Sequence, residues 1–544
     1  MRDGVDYRVE SHGTALDAIG ATVAHAAGWT GDGIVIGFPD YGFDLAHPTF
    51  ASTARSGRSR FAAFRSQPDR IDFRDPGGIS TAELPGYDPH ANYYGTHRRV
   101  PANTGAHGTL MASIAAGTAT PDHLGVAPDA TLVGVHLDLP DTAWQERNGS
   151  SRPDWLSWDP TTDPVWRGWK CYADHPAIAD ALDYISNAGR EFRAAGIVVN
   201  LSVGTWAGPH DGRSAVCRKI DQIVAAGEAG DGPPITVVVG SGNAGTDRGH
   251  VEGRLVTGVS RDIVWQFDPR STGTEKLEVW IENVGSGPDD ALDCWLVAPA
   301  DRRGEPLAFP ITPSRTTSVE ITGMRVGVAD LTSRATPSLA HLRLSLDPSL
   351  CTGRLPRDDA GLIAWRVRIG LREGCPPRRF NAWRERNDHP YRSTLADSTP
   401  ASTLCDFACA THAIVVGAYD HNAASEADPL PFSSRGPLPW SDPRSFASQK
   451  RFAPHLTAPG HRIVGARSGT RAYCETSGTS AAAALVSGSV ALLYQQAAAA
   501  GIRLDHSALV SLLAGPSTSA GRQRPDPALG LGPATIADLT GAIR

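Results

Sequence analysis

The sequence predicts an α/β fold with an all-β domain inserted into it, and two patterns support this. Short apolar runs such as residues 33–38 and 235–239 are typical of buried strands, and helical runs such as 110–116 lie between them. Between about residues 250 and 400 the pattern changes to short alternating runs separated by Gly, Pro and Asp turns. This second pattern indicates a sandwich or jelly roll. Its predicted strands are residues 263–267, 277–281, 294–297, 318–321, 342–346 and 362–369.

The length of the chain is consistent with two folding units. At 544 residues it is about twice a typical single domain, and its apolar content is ample for a core. We expect one domain of residues 1–250 and 400–544 and an inserted domain of residues 251–399. The formal net charge is −7 and there is no run of Lys or Arg, so nucleic acid is not an expected partner.

The N-terminal residues and the hydropathy of the chain indicate in which cellular compartment the protein is expected. The chain opens Met1-Arg2-Asp3 with no apolar core after the basic residue, which does not fit a secretory signal. It has no stretch of about eighteen uninterrupted apolar residues, so a membrane-spanning segment is not expected. We therefore expect a soluble, cytoplasmic protein, with a secreted mature form as the open alternative.

A candidate nucleophile lies near the C-terminal end. Residues 475–482 contain Gly478-Thr479-Ser480 and run into an apolar, Ala-rich stretch. Such a position places a serine hydroxyl at a helix N-terminus, where unpaired N–H groups and a partial positive charge point toward it. Taken alone, the motif is more often an ordinary helix cap than a nucleophile.

Two further polar residues occupy positions that suit acid–base chemistry. Asp40 ends the apolar run 33–38 and its Pro39 continuation, so its carboxylate is predicted at the C-terminal edge of a strand. His107 opens the helical run that stops at Gly117. Separately, a turn aspartate and a packed histidine would explain these residues equally well.

The order Asp40, His107, Ser480 is one in which the acid–base–nucleophile triad recurs, and with its surroundings it resembles the subtilisin-like serine proteases, the subtilases. Residues 198–204 resemble the substrate-pairing strand of that family, and residues 235–245 resemble the strand and loop that carry its oxyanion asparagine. Other matching segments are residues 125–130, 413–418, 432–437 and 456–460.

The resemblance implies a fold, an activity and a set of site residues. The fold is a subtilisin-like, mostly parallel sheet flanked by helices, and the activity is hydrolysis of peptide bonds in a protein or peptide substrate. Ser480 would be the nucleophile, His107 the general base and Asp40 its orienting acid. Asn243 would stabilise the oxyanion. The residues expected to bind substrate are Ser202, Val203, Gly204, Gly240, Ser241 and Gly242.

No cofactor or metal is expected. Where many subtilases carry an acidic calcium ligand this chain has Thr49, which supplies no charge, so calcium is not supported there. Calcium elsewhere stays open. Cys405 and Cys409 lack clustered ligands, which disfavours zinc, and the eight cysteines are expected to be mostly buried, free thiols. Two other departures are Ala484, where proline is common, and Tyr41, where a small hydroxyl residue is usual.

Two insertions have open roles. The inserted β domain resembles the jelly roll of some bacterial subtilases, and either braces the fold or docks a substrate or partner. A second insertion near residues 138–175 is rich in tryptophan, which indicates a small core or a recognition surface. The residues concerned are Trp144, Trp155, Trp158, Trp166 and Trp169.

Other functions are compatible with the same residues. One is a catalytically restrained binding scaffold, although no triad residue is missing. Another is an esterase or transpeptidase using the same triad, although the Gly-x-Ser-x-Gly elbow of esterases is absent around Ser480. A narrower form of the protease hypothesis is a processing enzyme with one dedicated protein partner, motivated by the insertions.

Overall fold

The computed structural model describes residues 15–52, 57–67, 70–80, 107–118, 123–137, 176–271, 274–283, 291–300, 306–336, 338–385, 391–423, 428–440, 451–515 and 525–536. The tryptophan-rich insertion and Cys171 therefore lie outside the described residues.

Six α-helices and twenty-one strands lie wholly within the described residues. The helices are α1 (Ala21–Ala26), α2 (His107–Ala116), α3 (Pro176–Glu191), α4 (Ala215–Glu228), α5 (Thr479–Ala499) and α6 (His506–Ala514). The strands are β1 (Ile34–Asp40), β2 (Phe61–Ser66), β3 (Ile71–Arg74), β4 (Thr131–His136), β5 (Gly196–Leu201), β6 (Ile235–Gly240), β7 (His250–Leu255), β8 (Arg261–Phe267), β9 (Glu275–Glu282), β10 (Leu292–Val297), β11 (Ala308–Ile311), β12 (Thr317–Ile321), β13 (Met324–Thr336), β14 (Leu339–Leu346), β15 (Ile363–Leu371), β16 (Arg378–Arg384), β17 (Thr394–Leu395), β18 (Ala413–Tyr419), β19 (Leu456–Pro459), β20 (Ile463–Ala466) and β21 (Tyr473–Thr476).

The centre of the fold is an eight-stranded sheet in the order β19-β18-β6-β5-β1-β4-β2-β3. All its neighbouring strands run parallel except the edge pair β2 and β3. The inner strands β1, β5 and β6 are buried along their whole length, as expected for parallel strands covered on both faces. The predicted mostly parallel α/β sheet is therefore confirmed.

Helices cover both faces of this sheet. Because successive side chains of a strand point to opposite faces, each strand contributes to two cores. Ile36 and Val238 pack on the side of α2 and α5, whereas Val35 and Val237 pack on the side of α3 and α4. The carboxyl ends of the parallel strands consequently meet at one edge, where α2 and α5 begin.

Helix α5 lies in the interior of the protein. Among the described residues it is the helix that is long and apolar enough to cross a membrane. However, 89% of its most apolar 18-residue stretch is buried inside the fold. Its Ala-rich sequence lets it approach the sheet closely, so it is the core helix. Ala484 lies within this unbroken helix.

The inserted segment forms two antiparallel sheets that share one core. The five-stranded sheet has the order β11-β10-β15-β8-β17, and the six-stranded sheet has the order β12-β13-β14-β9-β16-β7. Trp265, Trp365 and Phe380 are buried between them. The prediction of an inserted all-β sandwich is confirmed, and each of its six predicted runs lies in or overlaps a strand. The domain limits at 250 and 400 stay predictions.

Candidate active site

Asp40 and His107 are in direct contact at the carboxyl edge of the parallel sheet. Asp40 is the last residue of β1 and is fully buried, while His107 is the first residue of α2. His107 Nδ1 lies 2.7 Å from Asp40 Oδ1 and 2.9 Å from Oδ2. The His107 side chain is 33% exposed, so the imidazole is partly open to the cleft.

The N-terminus of α2 is anchored to the loop that follows β1. Gly108 N–H donates to the Tyr41 carbonyl at 2.7 Å, and the Thr109 N–H donates to the Gly42 carbonyl at 3.0 Å. Gly108 allows the close approach, because a Cβ there would lie 2.7 Å from Cζ of Phe43. The glycine after the histidine thus lets His107 reach Asp40.

Ser480 is the second residue of α5 and is bonded to the loop after β5. Its hydroxyl donates to the Ser202 carbonyl at 3.2 Å, and the Ser202 hydroxyl donates to the Ser480 carbonyl at 3.3 Å. Ser202 is held in turn by the Asn200 amide at 2.8 Å. This network fixes the start of α5 against β5 and places Ser480 beside the predicted substrate-pairing segment.

The amide of Asn243 is oriented by the residue before Ser480. Asn243 Oδ1 accepts from the Thr479 N–H and from the Thr479 hydroxyl, both at 3.0 Å. The Thr479 hydroxyl also accepts from Gly242 N–H at 3.1 Å. Because Oδ1 is occupied in this way, the Nδ2 group is the end of the amide that faces away from Thr479.

Gly478 leaves a space beside two hydrogen-bond donors. A Cβ on Gly478 would lie 3.4 Å from Asn243 Nδ2 and 3.8 Å from the Ser480 backbone nitrogen. The two nitrogens therefore lie within 4 Å of one point at the N-terminus of α5. An oxygen carrying negative charge is the group that such a pair accommodates.

The other residues predicted to bind substrate lie on the same edge. Ser202, Val203 and Gly204 follow β5 and are partly exposed. Gly240 ends β6, Ser241 is buried, and Gly242 is partly exposed with a φ of 109°, which favours glycine. The two segments leave neighbouring strands, because β5 pairs with β6.

Metal ligation is not evident in the part of the chain that the structure describes. There, no group of three or more His, Cys, Asp or Glu side chains is placed to share an ion. The described cysteines are free thiols, of which Cys375 and Cys474 are partly buried and the others buried; they are Cys217, Cys294, Cys351, Cys375, Cys405, Cys409 and Cys474. Burial raises the pKa of Cys405 to about 12, which keeps this thiol protonated.

Two functional side chains of the site were not identified from the sequence. Thr479 orients Asn243, and its place directly before the serine was the available signal. Asn200 supports Ser202 and also accepts from the Ser487 hydroxyl at 3.0 Å. Asn200 is fully buried inside an apolar strand, and this isolated polar position could have indicated its role.

Comparison with known proteins identifies the fold and the family. The model of the subtilase family matches residues 31–260 and 387–532. No curated protein sequence matches the chain. Among solved structures, the CspB protease of Clostridium perfringens has a TM-score of 0.69 and 21% identity, over 96% of this chain and 95% of that chain. MycP1 from Mycobacterium smegmatis has a TM-score of 0.40 and 14% identity, over 96% of this chain and 83% of that one.

The family match covers both parts of the sequence that build the parallel sheet and omits most of the antiparallel insert. Asp40, His107, Asn243 and Ser480 all lie inside the matched residues. At 21% identity, the likeness to the CspB protease shows the shared fold. Through the family match, the chain belongs to the subtilase family and is a serine endopeptidase.

Proposed function

We propose that the chain hydrolyses peptide bonds through Asp40, His107 and Ser480, with Asn243 as an oxyanion donor. The observation that carries this proposal is the double contact of His107 Nδ1 with the buried Asp40 carboxylate, at 2.7 and 2.9 Å. An imidazole held by Nδ1–H keeps Nε2 available to accept a proton. The proposed roles of Asp40, His107 and Ser480 follow from the tautomer in which Nδ1 carries the proton.

The reaction begins with proton transfer from Ser480 to His107. The Ser480 hydroxyl donates to the Ser202 carbonyl in the structure, and this bond is exchanged for one to His107 Nε2 when substrate binds. The oxygen and nitrogen then lie within about 3 Å, a contact that commonly tightens only in the substrate complex. Asp40 stabilises the imidazolium that forms.

Attack by Ser480 Oγ moves negative charge onto the carbonyl oxygen of the substrate. Asn243 Nδ2 and the Ser480 N–H receive that charge in the space beside Gly478. His107 then gives its proton to the leaving amine, which breaks the peptide bond and leaves an acyl group on Ser480. Water, activated by His107, releases the acyl group and restores the enzyme.

The substrate backbone is proposed to pair with residues 202–204 as an added strand. Gly240, Ser241 and Ala244 are small and uncharged, which favours an open, neutral primary pocket for a fairly large apolar side chain. The substrate is therefore a protein or peptide, and neither nucleic acid nor a membrane is a proposed partner.

A dedicated processing role in the cytoplasm is the narrower proposal. The inserted β domain beside the sheet motivates a specific protein partner, because it adds surface that general digestion does not need. Rapid cleavage of unrelated unfolded proteins such as casein would contradict this narrower role and leave the hydrolytic mechanism intact.

Labelling with a fluorophosphonate, followed by peptide mapping, tests the assignment of the nucleophile. The label is expected on Ser480 in the unaltered chain and is expected to be absent from the Ser480→Ala variant. Thermal melting of both proteins checks that the variant is folded. A label on another residue, or unchanged labelling of the variant, would reject the proposed nucleophile.

A further inference from the structure

Two buried glutamates of the inserted domain bind the loop that follows the proposed substrate-pairing segment. Glu385, which follows β16, accepts the Trp206 N–H on Oε1 at 3.1 Å and the Ala207 N–H on Oε2 at 3.0 Å. The hydroxyl of Thr205 also donates to Oε2. Glu278 of β9 accepts the next N–H, that of Gly208, on Oε2 at 3.0 Å.

These carboxylates satisfy three consecutive backbone N–H groups. Residues 205–208 lie between β5 and α4, outside any strand, so the sheet ladders supply no acceptors for them. Glu385 is 7% exposed and Glu278 is 4% exposed. Hydrogen bonds to buried anions are stronger than neutral ones, and losing such an acceptor weakens the hold on the loop. The Ala207 N–H keeps a second acceptor, the Thr205 hydroxyl at 3.1 Å.

The charge of Glu278 is stabilised within the inserted domain. Burial alone would raise its pKa, but His341 and Arg343 hold that pKa below its usual value. His341 Nε2 lies 3.2 Å from Glu278 Oε2, and the Trp280 indole N–H donates to the same oxygen at 3.0 Å. The acceptor presented to Gly208 is therefore prearranged by neighbours in the inserted domain.

The loop that the two glutamates bind places Trp206 against residues 240–242, the side of the proposed pocket opposite residues 202–204. The Trp206 side chain is buried and its Nε1 donates to the Thr403 carbonyl at 2.8 Å. A Cβ on Gly242 would lie 2.8 Å from Cζ2 of Trp206, so the indole packs directly on that glycine. Gly242 precedes Asn243. Trp206, which follows β5 in the chain, therefore contacts the segment that follows β6.

An aromatic cluster continues this contact into the inserted domain. Trp206 and Ala244 pack with Trp280, Leu339 and Trp383, all of which lie on strands of the insert. The insert thus reaches the site through apolar packing as well as through two carboxylates. A brace remote from the cleft would not need both kinds of contact at the same loop.

We propose that the inserted domain sets the width of the primary substrate pocket, with Glu385 and Glu278 as positioning residues that act through Trp206 on Gly242. This inference rests on the proposed function, because it takes residues 202–204 and 240–242 as the pocket walls. When a carboxylate is lost, Trp206 shifts and the pocket discriminates less between large and small side chains.

Glu385→Gln tests the proposal most directly, since both of its oxygens accept from the loop and an amide of the same size must turn an N–H toward one of those donors. Glu278→Gln is the second variant, since it removes the charge from the acceptor of the Gly208 N–H. Asp262→Asn is the matched control. It breaks an exposed ion pair with Arg368 at 2.8 Å on β8, within the same domain. The readout is the rate of covalent inactivation by peptidyl phosphonates ending in Phe or Ala, compared with a small fluorophosphonate that carries no side chain.

The expected result is a loss of selectivity with an intact nucleophile. In Glu385→Gln the ratio of the Phe rate to the Ala rate should fall about tenfold, because a small displacement in a site has large kinetic effects. The rate with the small probe should stay within about twofold, since its reaction depends on the catalytic groups alone. The Asp262→Asn control should leave both the Phe-to-Ala ratio and the rate with the small probe unchanged.

A double-variant comparison separates positioning from general bracing. If Glu385 acts through Trp206, the double variant Glu385→Gln with Trp206→Phe should have the same Phe-to-Ala ratio as either single variant. An unaltered Phe-to-Ala ratio in Glu385→Gln that still labels at Ser480 would overturn the inference. If the glutamine variants do not fold, the Trp206→Phe variant tests the inference by itself. An unchanged ratio of the Phe rate to the Ala rate in that variant would also overturn the inference. Failure of the unaltered chain to label at Ser480 would instead reject the proposed function.

Discussion

Asn243→Ala is the substitution whose effect the site geometry defines most closely. Two donors face the space beside Gly478, the Asn243 amide and the Ser480 N–H, at 3.4 and 3.8 Å from the same point. The substitution removes one and keeps the other. Loss of a single oxyanion donor costs about 100- to 1,000-fold in kcat, or about 2.7–4 kcal/mol.

The assay is hydrolysis of a peptide p-nitroanilide over a range of concentrations, so that kcat and KM are measured separately. We expect kcat to fall by that factor and KM to stay within about threefold, because the donor acts on charge that develops only in the transition state. A kcat within about threefold of the unaltered enzyme would refute the reasoning, since the donor would then contribute little.

Thr479→Val is the matched control for this prediction. It keeps the Asn243 amide but removes the hydroxyl that donates to Oδ1 at 3.0 Å, leaving the Thr479 N–H at 3.0 Å as the remaining anchor. An intermediate loss of about tenfold in kcat is expected, because the amide is retained but less firmly oriented. A loss as large as that of Asn243→Ala would mean that orientation matters as much as the donor itself.

Three further outcomes follow from the structure. Gly478→Ala should lower kcat about 100-fold without unfolding the protein, because its methyl group would occupy space within 4 Å of both proposed oxyanion donors and the φ of 165° is accessible to alanine; normal turnover would contradict this. Gly108→Ala should lower both activity and melting temperature, and Phe43→Leu in the same chain should restore part of each, since the added Cβ meets the Phe43 ring. Burial lowers the pKa of His250 from 6.5 to about 4. As the pH falls from 6.5 to 4, this histidine is protonated in the unfolded chain but not in the folded one, so the folded state loses stability over that range. His250→Phe should therefore shrink the loss of unfolding free energy between pH 7 and pH 4.5 by about 2 kcal/mol, measured by urea unfolding; an unchanged loss would contradict the shift.

Much of the central sheet was predictable because its strands are buried on both faces. The run that became β1 is uniformly apolar up to Asp40, and such a pattern occurs where helices cover a sheet on two sides. The parallel direction of the strands places their carboxyl ends at one edge. Asp40 ends one of those strands and Asn243 follows another, so they were expected near each other, as was His107 at the start of the covering helix.

The parts that were missed depend on contacts between distant positions. Glu385 and the Trp206 N–H are 179 positions apart, and no local pattern distinguishes this buried acid from an exposed one. The long strand β13 was not predicted because the polar residue Asp330 interrupts the apolar alternation of Met324, Val326 and Val328. Such residues are stabilised by partners on other strands, for example Arg343 beside Asp330 at 3.2 Å.

The central claim is that His107 activates Ser480, and the most direct measurement is the rate constant for fluorophosphonate labelling of Ser480 in the unaltered chain and in His107→Ala. The rate is predicted to fall by at least about a thousandfold, because the hydroxyl is a weak nucleophile without its base. Matching thermal melting curves would show that the fold is retained. Equal labelling rates at Ser480 in the two proteins would contradict the account.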